Sequence, residues 1–245
     1  MMERYIRQIP LLGRNGQARL RKSSVGIIGL GGLGSIISMY LAGAGVGKLL
    51  LIDFDTVSLT DLHRQLLYTI DDVGKPKALV GMRRLTEINS EIHIDAMNEA
   101  ITSEEKADEV VREVDIIALA VDNWKTRQLI NASAIRRGKP ISHGAVNGWV
   151  GTVTTIYPGK TPCLRELSDL GTGDDNISCL AGDCNSIIGP VAGVIASIQS
   201  SEVIRIAAGL SPVLMNILLI IDLGNGVVDE VRLQRSSTCP VCGNL

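Results

Sequence analysis

Hydrophobic residues follow two different patterns along the first 146 residues of the chain. Short apolar runs are typical of buried strands, and they alternate with longer stretches in which apolar side chains recur at helical spacing. The runs predict strands at 25–29, 48–53, 91–97, 115–121 and 140–146. The stretches between them predict helices at about 34–44, 76–89, 104–113 and 125–137. This alternation favours a mostly parallel α/β sheet with helices on both faces.

The pattern changes after residue 146. Residues 149–159 predict one more strand, and residues 161–186 a long crossover loop that is rich in Gly, Asp and Ser. An apolar stretch at 187–209 predicts a buried helix, and the runs NILLIID and GVVDEVRLQ predict two further strands. The sequence shows no internal repeat and no clear linker. We therefore expect residues 1–245 to form one domain with a C-terminal antiparallel extension to the sheet.

Composition narrows the classes of protein. Apolar residues make up 45% of the chain, charged residues 20%, and the net charge is −2, so no nucleic-acid surface is expected. Pro190 and Gly193 interrupt the longest apolar stretch, which favours a buried helix over a membrane span. The polar N-terminus does not resemble a signal peptide. Five cysteines without an export signal predict a reducing cytoplasm, and metal or thiol chemistry before disulfides.

A cluster of glycines follows the first predicted strand in VGIIGLGGLG. Gly29, Gly31 and Gly34 match G-x-G-x-x-G at the start of a helix, whose free N–H groups and positive dipole favour phosphate, and Gly32 adds a fourth glycine. Asp53 ends the second strand, where an acid commonly binds a ribose hydroxyl. This arrangement predicts a Rossmann-like, doubly wound sheet. The motif alone does not choose between a dinucleotide, ATP and a turn without a ligand.

Further motifs resemble the MoeB/ThiF/HesA family, the bacterial and archaeal relatives of ubiquitin-activating enzymes. They are RYIRQ (4–8), DFDTVSLTDLHRQ (53–65), VGKPKA (73–78) and AVDNWKTRQLIN (120–131). The resemblance covers nearly the whole chain and keeps the order of the motifs. It implies an enzyme that binds MgATP and transfers AMP to a carboxylate with release of pyrophosphate.

The resemblance also implies roles for individual residues. The nucleotide would contact Gly29, Gly31, Gly32, Gly34, Asp53, Asp55, Gln65 and Asn123. The catalytic side chains would be Arg64, Lys77, Asp122 and Arg7, with Asp122 holding magnesium and Arg7 reaching the second subunit of a homodimer. Arginine, lysine and aspartate side chains suit adenylyl transfer. This reaction needs positively charged groups beside the triphosphate and a metal ion to neutralise the leaving pyrophosphate. Taken singly, Arg64 or Lys77 could be a solvated charge, and Asp122 a helix cap.

One departure from the family lies in the DLHRQ segment. Members usually carry Asn where this chain has Asp61. A carboxylate repels the triphosphate unless a metal or an arginine intervenes. Asp61 is therefore either an additional metal ligand or a helix cap.

A second departure concerns a structural metal. Relatives that bind zinc use two CxxC motifs, one in this region and one near the C-terminus. This chain has the second motif, with Cys239 and Cys242, but its first motif is replaced by TPCLRE (161–166), which contains Cys163 and Glu166. The CPVC turn suits tetrahedral zinc, and Cys163 is a candidate third ligand. The fourth ligand is left open between Glu166, Cys179, Cys184 and water, and a metal-free site is the alternative.

The crossover loop also carries two candidate nucleophiles, Cys184 and Cys179. Adenylylation itself needs neither of them. The resemblance implies as substrate the C-terminal glycine of a ubiquitin-like sulfur-carrier protein. A small-molecule carboxylate, such as guanylylpyridinol in the synthesis of the iron-guanylylpyridinol cofactor, is the alternative. A nucleotide-binding scaffold without catalysis and an NAD-dependent redox enzyme are weaker alternatives.

Overall fold

The computed structural model describes residues 3–168 and 186–243. In these ranges one sheet contains the strands β1 (Ser24–Ile28), β2 (Lys48–Ile52), β3 (His93–Met97), β4 (Ile116–Leu119), β5 (Ile141–Asn147), β6 (Val150–Ile156), β7 (Ile217–Asp222) and β8 (Val227–Arg232). The α-helices of the same ranges are α1 (Ile9–Leu20), α2 (Gly32–Ala44), α3 (Lys77–Ile88), α4 (Glu104–Arg112), α5 (Trp124–Arg136), α6 (Leu164–Leu167) and α7 (Gly189–Ala208).

The strand order is β3-β2-β1-β4-β5-β6-β7-β8. The first five strands are parallel, and the pairs β5–β6, β6–β7 and β7–β8 are antiparallel. The order reverses direction between β1 and β4, as in doubly wound sheets. The predicted fold class is therefore confirmed, including the antiparallel extension.

The strands β1, β2 and β4 are apolar after the first residues Ser24 and Lys48 of β1 and β2, because both faces of the sheet are covered here. Successive side chains of a strand point to opposite faces. Ile27 thus belongs to the core under α1, α2, α3 and α7, whereas Ile28 belongs to the core under α4, α5 and α6. In β2, Leu51 and Ile52 divide in the same way. An uninterrupted apolar run is what such a strand requires.

Helix α7 is the core helix of the second half of the chain. It is long and apolar enough to cross a membrane by length and composition, yet more than half of its most apolar stretch is buried. It packs against α1, α2, β4, β5 and β6. Its buried Glu202 accepts hydrogen bonds from Thr155 Oγ1 at 2.7 Å, Val213 N at 2.9 Å and Leu214 N at 2.8 Å. The predicted buried helix is confirmed.

Two short elements differ from the sequence predictions. Helix α1 was not predicted because its segment is polar and Gly13, with φ of 71°, interrupts the helical backbone. Helix α6 lies inside the predicted crossover loop, where Glu166 accepts a hydrogen bond from the Cys163 amide at 3.0 Å and caps the first turn. The prediction of a loop from residue 161 was therefore wrong for residues 164–167.

A fully buried carboxylate, Asp72, fixes the connection between β2 and α3. It accepts hydrogen bonds from Thr69 N at 3.0 Å and from Arg84 Nη2 at 2.9 Å, and Arg83 Nη2 lies 2.5 Å away. Burial disfavours the charged form, but the hydrogen bonds from Arg84 and Thr69 outweigh it and hold the pKa of Asp72 well below its usual range.

We expect Asp72→Asn to lower the free energy of unfolding by about 2 kcal/mol at neutral pH, because the buried carboxylate loses its charge-assisted hydrogen bonds with the partly exposed Arg83 and Arg84. A lowered pKa contributes stability above the unfolded-state value, about pH 4, and this contribution is lost as the pH falls below it. The difference between wild type and variant should therefore be constant above about pH 5 and narrow progressively as the pH falls below 4 towards the lowered pKa of Asp72. Urea denaturation of both proteins across this pH range measures the difference in their free energies of unfolding. A difference that does not change with pH would contradict the lowered pKa of Asp72.

Candidate functional site

A cleft of about 1560 Å³ opens where the strand order reverses, at the carboxyl ends of β1 and β4. Open α/β sheets bind their ligands at this position. The walls are the glycine turn after β1, the loop after β2, the start of α5 and the turns β5–β6 and β7–β8. The cleft therefore collects segments from both halves of the chain.

The four glycines of the turn divide into two pairs. Gly29 has φ of 89°, and a Cβ there would lie 2.7 Å from the Ala120 carbonyl oxygen, while a Cβ at Gly34 would overlap the Gly29 carbonyl. The fold itself requires these two. Gly31 and Gly32 line the cleft, and a Cβ at either would have no neighbour closer than 3.4 Å. The second pair leaves the first turn of α2 open to a ligand.

Asp53 ties the glycine turn to the end of β2. Its Oδ2 accepts a hydrogen bond from Leu30 N at 2.6 Å, and its Oδ1 accepts one from Asp55 N at 2.8 Å. Burial raises the pKa of Asp53 despite these hydrogen bonds and the nearby Lys77. Each oxygen retains a lone pair, so the carboxylate can still accept hydrogen bonds from ribose hydroxyls. Asp53 and Asp55 both line the cleft.

The structure brings Arg64, Gln65 and Lys77 together around Asp61. Asp61 Oδ1 accepts hydrogen bonds from Arg64 Nη2 at 3.2 Å and Gln65 Nε2 at 3.0 Å, and Lys77 Nζ lies 3.4 Å from Oδ2. Only 6% of the Lys77 side chain is exposed, which excludes a solvated surface charge. Lys77 Nζ also lies 3.5 Å from Asp55 Oδ2. Four residues that were predicted to bind the nucleotide or to act in catalysis thus lie around Asp61 on one wall of the cleft, namely Asp55, Arg64, Gln65 and Lys77.

Asp61 also caps the 3₁₀ helix Leu59–Asp61. Its Oδ2 accepts a hydrogen bond from Ser58 N at 3.0 Å, which closes a capping box. The cap that the sequence suggested is therefore present, and it coexists with the ion pairs to Arg64 and Lys77.

The start of α5 forms the opposite wall. Asn123 is the N-cap, since its side chain accepts a hydrogen bond from Thr126 N at 2.9 Å. Asp122 lies one residue earlier and is exposed in the cleft, so its interpretation as the helix cap was wrong. Sequence reasoning missed Arg127, which lines the same wall and donates two hydrogen bonds to the Val121 carbonyl at 3.0 and 2.8 Å.

Arg7 lies elsewhere. It is exposed, it precedes α1, and it does not line the cleft formed by the described residues of its own chain. This location is compatible with the predicted role in a second subunit, which stays a prediction.

A second group of side chains lies at the C-terminal end of the fold. One ligand atom from each of Cys163, Glu166, Cys239 and Cys242 falls within 4.8 Å of the others. The Cys163 and Cys239 sulfurs are 3.8 Å apart. A tetrahedral zinc ion with Zn–S bonds of about 2.3 Å separates its sulfurs by about 3.8 Å. The donor set and its spacing fit such an ion.

Glu166 completes this group. Its Oε2 accepts hydrogen bonds from Cys163 N at 3.0 Å and Cys242 Sγ at 2.8 Å, and its Oε1 accepts one from Ser236 N at 2.6 Å. Burial raises the pKa of the Cys163 and Cys242 thiols, and the Glu166 carboxylate adds to the effect at Cys242. A bound metal would displace these protons. Cys179 and Cys184 lie outside the described residues.

The chain resembles proteins of one known family. The profile of the ThiF family matches residues 3–241. The chain is 35% identical over 251 residues to a sulfur carrier protein adenylyltransferase of Thermus thermophilus, covering 99% of this chain and 91% of that protein. It is 37% identical over 243 residues to the sulfur carrier protein ThiS adenylyltransferase of Escherichia coli, covering 98% and 94%.

A solved structure shows the same fold. The crystal structure of Escherichia coli MccB with ATP superimposes with a TM-score of 0.86 and 27% identity, over 98% of this chain and 74% of that one. The family match spans both walls of the cleft and, in the C-terminal cysteine cluster, every member except Cys242. The chain therefore belongs to the ThiF family, and the enzyme is an adenylyltransferase.

Proposed function

We propose that the enzyme uses MgATP to adenylylate the C-terminal carboxylate of a ubiquitin-like sulfur-carrier protein. The carboxylate oxygen bonds to the α-phosphorus of ATP, and the bond from that phosphorus to the bridging oxygen breaks, which releases pyrophosphate. The observation that carries the proposal is the convergence of Arg64, Gln65 and Lys77 beside the glycine turn. The relatives named as sulfur carrier adenylyltransferases support the substrate class.

Each wall has a role in this reaction. Gly31 and Gly32 admit the nucleotide, and the Asp53 carboxylate accepts the ribose hydroxyls. Arg64 and Lys77 neutralise the triphosphate as charge moves onto the leaving group. The exposed Asp122 carboxylate would hold magnesium, a hard cation that prefers oxygen ligands and supplies further positive charge to the phosphates.

The acceptor would enter at the other end of the cleft. This end is bordered by the β5–β6 turn with Gly148 and Trp149 and by the β7–β8 turn with Gly224. The Leu223 amide donates to the Trp149 carbonyl at 3.0 Å and joins the two turns. The Trp149 side chain is about half exposed, so it offers an apolar surface to an incoming chain. We propose that the extended, glycine-rich C-terminus of the carrier enters between these two turns.

Pyrophosphate release tests the substrate. The enzyme would be given MgATP with a sulfur carrier ending in Gly-Gly, with the same carrier lacking its last glycine, and with small-molecule carboxylates including guanylylpyridinol. We expect pyrophosphate to be released only when the intact carrier is the acceptor. Release with guanylylpyridinol and none with the carrier would replace the proposed substrate by the small-molecule alternative.

We also propose a homodimer with shared active sites. An apolar groove of about 750 Å³ lies between α2 and α7 and is lined by Ile36, Tyr40, Leu66 and Val194 among others. Leu66 directly follows the cleft residue Gln65, so a second copy seated on this groove lies beside the phosphate end of the cleft. From there its exposed Arg7 can approach the triphosphate.

The cluster of three cysteines and Glu166 predicts that the purified protein contains zinc. We expect about one zinc ion per chain, held by Cys163, Glu166, Cys239 and Cys242, and a lower melting temperature for Cys239→Ser. Elemental analysis and thermal unfolding measure both. The matched variant Glu166→Gln keeps a hydrogen-bond acceptor but loses the charge, so it should bind zinc more weakly while retaining the fold. A metal-free preparation in which Cys239→Ser melts like wild type would contradict the zinc site.

A further inference from the structure

Asp61 places a negative charge among the groups that are proposed to bind a triphosphate. Its side chain is 10% exposed and lies within 3.4 Å of both Arg64 and Lys77. Gln65 Nε2 donates to the same carboxylate at 3.0 Å. The two proposed phosphate-binding cations and the neighbouring Gln65 amide therefore share one anionic partner.

The helix cap does not account for this arrangement. Capping uses Asp61 Oδ2, which accepts the Ser58 amide hydrogen, whereas Oδ1 accepts from Arg64 and Gln65. The chain also contains a matched case. Asp72 closes an equivalent capping box in the 3₁₀ helix Ile70–Asp72 and pairs with two arginines, but it does not line the cleft. Asp61 differs from Asp72 in facing the nucleotide site.

The carboxylate changes the charge that a nucleotide meets. Arg64 and Lys77 supply two positive charges. Asp61 contacts both of them and cancels one, while Asp55 lies 3.5 Å from Lys77 alone. An arriving phosphate must compete with Asp61 for both cations. Free ATP brings more uncompensated negative charge than its magnesium complex, because the bound ion neutralises part of the triphosphate. The penalty from Asp61 is therefore larger for free ATP.

We infer, on the basis of the proposed function, that Asp61 is a counter-charge that makes this site select the magnesium complex of ATP over free ATP. It acts on the nucleotide through Arg64 and Lys77, which makes it a positioning residue. The ratio of the dissociation constants of free ATP and MgATP measures this selectivity. A purely structural role would change both constants by the same factor and leave the ratio unchanged.

Asp61→Asn tests the inference, because the amide keeps an acceptor oxygen for the Ser58 amide but carries no charge. Calorimetry at fixed ionic strength would measure ATP binding in magnesium-free buffer without a chelator and in excess magnesium. We expect the variant to bind free ATP about tenfold more tightly, from the loss of one charge near the phosphates, with a smaller change for MgATP. Asp61→Ser serves as a second neutral variant with the same expected result if Asp61→Asn does not fold.

Two control variants separate charge from structure. Asp61→Glu retains the charge and should keep the wild-type preference for MgATP. Asp72→Asn removes the matched carboxylate and should lower stability without changing the ratio.

Three results would overturn the inference. In the first, both constants of a neutral variant shift by the same factor. In the second, MgATP binding weakens and free ATP binding is unchanged, which indicates a direct metal ligand. In the third, the wild type binds no ATP in either condition, and this result alone overturns the proposed function as well.

Discussion

Asp122→Ala is expected to lower the rate of pyrophosphate release by a factor on the order of 100 or more while the protein stays folded. Asp122 is exposed on the cleft wall, and the N-cap of α5 is supplied by Asn123. Its loss therefore removes the proposed magnesium ligand without removing a helix cap. Steady-state pyrophosphate assays and thermal unfolding of the same preparation measure the two effects.

The matched control is Glu99→Gln. Glu99 also lines the cleft, but its carboxylate pairs with Lys106 at 2.6 Å on the surface. Exposed ion pairs of this kind contribute little, so we expect its rate to stay within about twofold of wild type. A near-normal rate for Asp122→Ala would remove Asp122 from the proposed machinery.

Arg7→Ala is expected to lower activity on the order of 100-fold, because in the proposed shared site the Arg7 guanidinium of the second subunit neutralises phosphate charge. Mixing inactive Arg7→Ala chains with inactive Asp122→Ala chains should restore activity. In a mixed dimer one site carries both lesions and the other carries neither. Random exchange between the two variants should return about one quarter of the wild-type rate.

Arg4→Ala is the control for this experiment. Arg4 lies in the same N-terminal segment, but its guanidinium donates to the Ile88 carbonyl at 2.9 Å within its own chain. Arg4→Ala should remain active without mixing. If subunit exchange is demonstrated and the mixture of Arg7→Ala and Asp122→Ala stays inactive, the shared site is wrong.

The fold was largely predictable because the buried parallel strands must be apolar on both faces. The runs that contain Ile27, Leu51 and Ile117 therefore stand out in the sequence, and the glycine turn marks the end of β1. Helix α1 was not predictable in this way. Its segment is polar, and Gly13 breaks the helical spacing.

The candidate site was predictable only where a local motif carries it. Arg64, Gln65 and Lys77 lie in recognisable motifs, and they converge in the cleft. Trp149 and Asp222 carry no such signal, since they reach the cleft through the order of β6, β7 and β8. The complete cysteine cluster also could not be predicted from a local motif, because the fold brings its members together. The contact between Glu166 and Cys242 spans 76 residues, so four alternatives for the last ligand stayed open.

The position of β4 beside β1 has a consequence for the order of folding events. Val25 pairs with Ile116 across the sheet, and Gly29 of the glycine turn packs closely against the Ala120 backbone. Contacts between such distant parts of the chain form slowly, whereas the hairpins β5–β6 and β7–β8 are local. During refolding, the hairpins β5–β6 and β7–β8 should therefore form first, and the affinity for nucleotide should be recovered last. Recovery of ATP binding would then report completion of the central sheet.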